Sequence, residues 1–148
     1  MDDAIVNTLD ILKNNYPDSG TYQLQIFVQS GFSISVGAIG IVKFKPGKYI
    51  YTGRASKNLK QRVIRHCKKD KQIRWHIDYL TSSPDVIVQS VTIISQDPNK
   101  ECEVNQAIEK LAGSVIPKNG FGSSDCRSGC KSHLVKVESF PDSNHGEN

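Results

Sequence analysis

Thr21-Tyr22-Gln23-Leu24-Gln25-Ile26-Phe27-Val28 alternates along its length. Tyr22, Leu24, Ile26 and Val28 fall on one side, with Thr21, Gln23 and Gln25 on the other. Because strand side chains point to opposite faces in turn, this predicts a strand with one buried face. Downstream, residues 33–44 form another strand-like run, interrupted by Gly37 and Gly40, where bulges or close backbone contacts are expected. Lys45-Pro46-Gly47-Lys48 is a turn, since proline presets its first corner and glycine tolerates positive φ. The strand that follows, residues 48–53, puts Tyr49, Tyr51 and Gly53 on a common face.

Further along, the period changes to a helical one. Ser56 is expected to cap a helix over residues 57–69 whose apolar side is Leu59, Val63 and Cys67. A helix over 72–81 turns Ile73, Ile77 and Leu80 inward, with Trp75, His76 and Tyr79 on its flanks. Residues 85–95 are β-branched and read as a strand. A helix over 99–112 packs through Val104, Ala107, Ile108 and Leu111 and ends before Gly113. Residues 118–132 are rich in Gly, Ser and Cys and read as a loop, and 133–137 as a last edge strand. Upstream, Ile5, Leu9 and Leu12 give an N-terminal helix over 1–17 that stops at Tyr16-Pro17. The division is then an N-terminal helix at 1–17, one domain over 18–140, and a polar, disordered tail over 141–148. No internal repeat is present. The expected class is α+β: a small antiparallel sheet of three or more strands flanked by helices.

With 148 residues and a formal net charge of +4, the chain fits one mildly basic domain. The distribution of charge says more than its total. Arg54, Lys57, Lys60, Arg62, Arg65, Lys68, Lys69, Lys71 and Arg74 crowd into one short region, with Asp70 the only acid among them. A phosphate-facing surface is the reading adopted, against a merely solvated helix face. No apolar run is long enough to span a bilayer, and the N-terminus lacks a signal peptide's basic and apolar regions. These features predict a cytoplasmic protein that does not enter membranes. Its Cys67, Cys102, Cys126 and Cys130 are then reduced or metal-bound rather than disulfide-linked.

The candidate chemistry comes from an ordered series. Arg62 and His66 are four residues apart and share a helix face. Arginine presents a fixed fork to phosphate oxygens, and histidine exchanges a proton near neutral pH. A phenol such as Tyr22 or Tyr51 becomes useful in proton transfer beside a cation or a metal-bound water. A carboxylate at Glu101 or Glu103 can place one Mg²⁺ that keeps most of its waters. Separately, Cys126-x3-Cys130-x2-His133 with Cys102 has the ligand types of a zinc site. The spacing matches no standard zinc-finger pattern, so incidental thiols are the expectation there and Zn²⁺ the alternative.

Taken in order, Gly20-Thr21-Tyr22, Tyr49-Ile50-Tyr51-Thr52-Gly53, Arg62-x3-His66 and a later helical glutamate resemble the GIY-YIG endonuclease superfamily. Pro46-Gly47-Lys48, Arg65-His66, Trp75-His76-Ile77-Asp78-Tyr79-Leu80, Glu101-Cys102-Glu103, Gly120-Phe121-Gly122-Ser123-Ser124-Asp125-Cys126 and Ser132-His133-Leu134 narrow the resemblance to its small single-domain, Uri-type branch. The likeness covers about residues 19–137. It implies a metal-dependent endonuclease acting on DNA, or alternatively RNA, with Mg²⁺ or Mn²⁺. Tyr22, Tyr51, Arg62, His66 and His76 match the catalytic residues, and Glu103 matches the metal-binding glutamate. Arg54, Lys57, Arg65 and Lys69 would contact nucleic acid. Three features depart from the pattern. Thr21 stands where the first signature has Ile, and the connection between the two tyrosines, residues 23–50, is long and is expected to hold an extra strand. The family's late asparagine has no match except in the region of Ser123, Ser124 or Asp125. Two other readings remain: a nucleic-acid-binding module with little cleavage, and a zinc-stabilised interaction domain. Protein partners are not legible in the sequence.

Overall fold

The computed structural model describes residues 16–123, 126 and 128–141. The expected helix over 1–17 falls almost wholly outside these residues, as does most of the expected tail over 141–148; Ser124 and Asp125 also lie outside them.

The alternating segment forms β1 (Gly20–Val28), which lies at the centre of a four-stranded antiparallel sheet. Its neighbours are β4 (Gly47–Ala55) on one side and β5 (Val86–Ser95) on the other, with β6 (Leu134–Val137) at the edge beyond β4. The class is α+β, with helices α1 (Leu59–Cys67), α2 (His76–Thr81) and α3 (Glu101–Glu109) around the sheet. Residues 33–44 are two strands, not one. β2 (Phe32–Val36) and β3 (Gly40–Phe44) pair as a separate hairpin around a 3-10 turn at Gly37–Ile39. Gly37 at φ +47° and Gly40 at φ +86° reverse the chain there, so the glycines mark a turn rather than a bulge.

The β1–β4 register sets Tyr22 opposite Gly53, Leu24 opposite Tyr51 and Ile26 opposite Tyr49, all on one face. That face packs on Leu59 and Val63 of α1, Ile77 and Leu80 of α2, and Phe44 and Phe121. Burying an aliphatic side chain such as Leu24 or Ile26 contributes roughly 1.5–3 kcal/mol. Several such contributions let the same layer hold two phenols and an imidazole out of water. The opposite face is covered in part by Ile108 of α3, which packs on Ile50, Val135 and Val137. A shift in the β1–β5 ladder between Thr21 and Tyr22 marks a bulge beside the first tyrosine, a device that re-aims a strand at its end.

The helices begin and end differently from expectation, for identifiable reasons. Helix α1 starts at Leu59 without Ser56 as its cap. Asp18 accepts instead, from Asn58 N at 3.1 Å to its carboxylate and from Leu59 N at 3.0 Å to its backbone carbonyl. Helix α2 starts at His76 rather than 72, because the Asp78 carboxylate accepts from Arg74 N at 2.8 Å and Trp75 N at 2.9 Å. Ile73 therefore precedes the helix and is 40% exposed. Helix α3 follows a 3-10 turn at Pro98–Lys100 and buries Asn105 and Ile108, while Ala107 and Leu111 are exposed. No helix among the described residues is long and apolar enough to cross a membrane.

Candidate active site

Gly53 explains how Tyr22 sits. A Cβ at position 53 would lie 2.7 Å from both Cζ and Oη of Tyr22, so the ring occupies the space a side chain would need. From there the Tyr22 hydroxyl reaches the buried His66 of α1, with Oη 2.7 Å from Nε2. Tyr51 lies across the same imidazole, its ring centroid 5.9 Å away. Arg62, one helical turn before His66, donates from Nη1 to the Arg54 carbonyl at 2.8 Å. Its guanidinium stands 4.6 Å from the centre of the Trp75 ring, a cation–π distance.

These groups line one open cleft of about 640 Å³, together with Arg54, Arg74, Trp75, His76, Glu101, Cys102, Gly122, Cys126 and His133. Tyr22, Tyr51, Arg62, His66 and His76 are thus brought together. His76 accepts at Nδ1 from Gly122 N at 2.8 Å, which ties α2 to the loop over 118–132. Gly122 has φ +68°, and a Cβ there would press on Tyr51 at 3.3 Å.

Burial holds the two phenols and the His66 imidazole in their neutral forms. Burial pushes the Tyr22 phenol well above its ordinary value, with Tyr51 adding to the rise and Arg62 opposing it. Tyr51 is raised by burial and by Glu101. Burial, then Lys71, pushes His66 down to about 3. A neutral ring that accepts the Tyr22 proton at Nε2 carries its own hydrogen on Nδ1, which has no hydrogen-bond partner. The pair is a phenol poised against a free base.

The carboxylate that enters the cleft is Glu101, not Glu103. Glu101 side-chain exposure is 17%, with Oε1 3.7 Å from Arg54 Nε and Oε2 3.2 Å from His133 Nδ1. Glu103 is 76% exposed and pairs only loosely with Lys100 at 3.7 Å. Both stand in the first turn of α3, but two residues along a helix are about 200° apart, so only one can face the cleft.

The basic segment is also only partly turned outward. Arg65 grips Asp78 with both Nη atoms, at 2.9 and 2.8 Å, and donates again to the Gln72 carbonyl at 2.6 Å. Lys69 donates to the carbonyls of Thr81 at 3.0 Å, Ser83 at 2.7 Å and Val86. Lys71 donates to Arg65 O at 3.1 Å, His66 O at 3.0 Å and Thr81 Oγ1 at 2.6 Å. Arg65 and Lys69 thus brace α1, α2 and β5 to one another, although Lys69 is also exposed. Arg54, Lys57 and Arg74 remain exposed, beside half-buried Arg62.

Sequence reasoning left Trp75 on a helix flank, although it lines the cleft against both Arg62 and Arg65. It also put no weight on Asn105, which is fully buried and donates to the Ser132 carbonyl at 2.7 Å. A buried amide in an otherwise amphipathic helix is the signal that was there to use.

At the far wall, Cys102, Cys126, Cys130 and His133 bring one possible ligand atom each to within 4.8 Å of one another, a group able to hold a metal ion. All four cysteines are free thiols. Burial works against ionisation of Cys126. Hydrogen bonds from Cys102, Ser128 and Cys130 nonetheless bring its thiol down to about 6.

No curated protein and no solved structure matches the chain. The family described as a domain of unknown function, DUF123, matches residues 21–146. That span takes in the tyrosine strands, the basic helix, Glu101 and the cysteine loop alike, and the chain belongs to the DUF123 family.

Proposed function

We propose that the cleft is the active site of a divalent-metal-dependent endonuclease that hydrolyses phosphodiester bonds of DNA, or alternatively RNA, as the GIY-YIG resemblance implies. One observation carries the reading: the 2.7 Å contact between Tyr22 Oη and neutral His66 Nε2 at the floor of a cleft that also holds Arg62. The contact aligns a hydroxyl with a free imidazole nitrogen, the geometry a proton relay uses.

In the mechanism, a water attacks phosphorus and gives its proton to the Tyr22 oxygen as the Tyr22 proton passes to His66 Nε2. The new P–O bond forms as the bond to the leaving ester oxygen breaks, and that oxygen takes its proton from solvent. Arg62 offsets the extra negative charge on the five-coordinate phosphorus. Because His66 is a weak base in this setting, it returns its proton readily. Glu101 is the residue that would hold Mg²⁺ or Mn²⁺. Its carboxylate enters an open, polar space, which suits an ion that keeps most of its waters. When bound, that ion supplies further charge neutralisation at the phosphate. The Cys/His group is of another kind, and its soft thiolate and imidazole donors suit Zn²⁺. A cytoplasmic setting agrees with four thiols kept reduced.

The two phenols provide the test. In single-turnover cleavage with Mg²⁺, Tyr22→Phe should lose roughly a hundredfold or more, the scale of general acid–base contributions, while Tyr51→Phe loses much less. Equal activity of Tyr22→Phe and wild type would remove the phenol–imidazole pair from the mechanism.

A further inference from the structure

We infer that Cys102, Cys126, Cys130 and His133 form a Zn²⁺ site, and that Glu101 is its outer partner, so that one ion secures the loop over the cleft and aims the cleft's carboxylate. The inference goes beyond the nuclease reading and stands or falls on the metal itself.

The donors are already gathered. Zinc bonds of about 2.3 Å to sulfur and 2.0–2.1 Å to nitrogen place tetrahedral ligand atoms roughly 3.5–3.8 Å apart. The four atoms here lie within 4.8 Å of one another, so closing the set takes shifts of about an ångström. Cys102 Sγ and Cys126 Sγ stand 3.1 Å apart, well beyond the ~2.05 Å of a disulfide bond. The two thiols come from separate segments, the first turn of α3 and the loop, and point at a common centre.

His133 supplies the independent sign of a ligand. It is 2% exposed, and neither ring nitrogen has a hydrogen-bond partner. Leaving a buried polar group unsatisfied is destabilising, and a bound ion removes that cost. Its Nδ1 lies 3.2 Å from Glu101 Oε2, at ion-pair distance but off the line of a hydrogen bond. A small rotation lets Nδ1–H donate to Glu101 while Nε2 binds the ion, the carboxylate–histidine–metal arrangement common to zinc sites.

The scaffold holds the loop in the ligating posture from the α3 side. Gln106 Nε2 donates to Ser128 O at 2.7 Å, Asn105 Nδ2 to Ser132 O at 2.7 Å, and Glu109 Oε2 accepts from Lys131 N at 2.9 Å. The same loop carries Phe121 and Gly122 onto His76 and Tyr51. An ion here would therefore fix one wall of the cleft.

The test reads the metal directly. Protein prepared without a metal-chelating tag should carry about one zinc per chain by elemental analysis. Co²⁺ exchanged for it under reducing conditions should give the intense visible bands of a tetrahedral thiolate site. Cys67→Ala should retain both properties, and Cys126→Ser and Cys130→Ser should lose them. Should the serine variants fail to fold, thiol titration of the wild type serves instead: the metal should shield three thiols and leave Cys67 to react as it does in metal-free protein. Glu101→Gln should keep the tetrahedral spectrum and bind zinc about 10–100-fold more weakly. Folded, reduced wild type that lacks zinc and gives only weak, octahedral Co²⁺ bands would overturn the site. Unchanged zinc affinity in Glu101→Gln would overturn the role given to that carboxylate.

Discussion

Arg62→Ala should reduce single-turnover cleavage by roughly a thousandfold, the scale at which one preorganised charge-stabilising donor acts, while polynucleotide binding persists. The reason lies in what Arg62 does in the fold. Its guanidinium donates to Arg54 O at an exposed strand end, and its stacking partner Trp75 is itself half-buried. Truncation therefore removes a guanidinium from the cleft without opening the core. Arg65 is the contrasting case, since its two bonds to the buried Asp78 join α1 to α2. Arg65→Ala should lower the melting temperature, because it leaves a carboxylate buried without its strongest cation. Binding through Arg54, Lys57 and Arg74 should remain, and removing Arg62 should change the slope of log affinity against log salt by about one. An Arg62→Ala variant that cuts at the wild-type rate would refute the role assigned to α1.

Glu101→Gln should suppress Mg²⁺-dependent cleavage by about a hundredfold or more, whereas Glu103→Gln should leave it within about twofold of wild type. The two variants differ by two positions on one helix and have the same change in charge, so surface electrostatics cannot produce the difference. Glu101 lines the cleft and Glu103 is exposed to solvent. Rising Mn²⁺ or Mg²⁺ concentration should recover part of the Glu101→Gln activity if weakened ion binding is the defect. Zinc content of the same sample separates that defect from loss of the Cys/His ion. The reverse pattern, with Glu103 essential and Glu101 dispensable, would mean that α3 is rotated in the working protein.

How much of this was legible beforehand follows from the range of each interaction. The two tyrosines and the Arg62–His66 pair depend on strand alternation and on helix periodicity, which are local, so their shared surface could be read from spacing. The choice between Glu101 and Glu103 depends on where α3 begins, and the 3-10 turn at Pro98–Lys100 shifts that phase without a strong signal of its own. The bracing within the basic segment was hidden for a different reason. Which cations also tie elements together depends on acceptors far along the chain, such as Asp78 for Arg65 and the carbonyls of Ser83 and Val86 for Lys69. Charge counting cannot see them. The start of α1 is a similar case, since Asp18 reaches it from forty residues away. The cysteines show the limit from the other side. Their spacing matches no single-segment pattern, yet the fold brings four possible ligand atoms within 4.8 Å, because the set is assembled from a helix and a loop.

The most direct measurement is a time course of wild-type protein with Mg²⁺ on matched single-stranded, duplex and branched DNA and on the corresponding RNA, with binding followed in the same samples. The account predicts that at least one of these is broken at internal phosphodiesters, and that chelating the Mg²⁺ stops the reaction. Protein that binds these polynucleotides yet leaves all of them intact with either Mg²⁺ or Mn²⁺ would contradict it, and would make the cleft a binding surface.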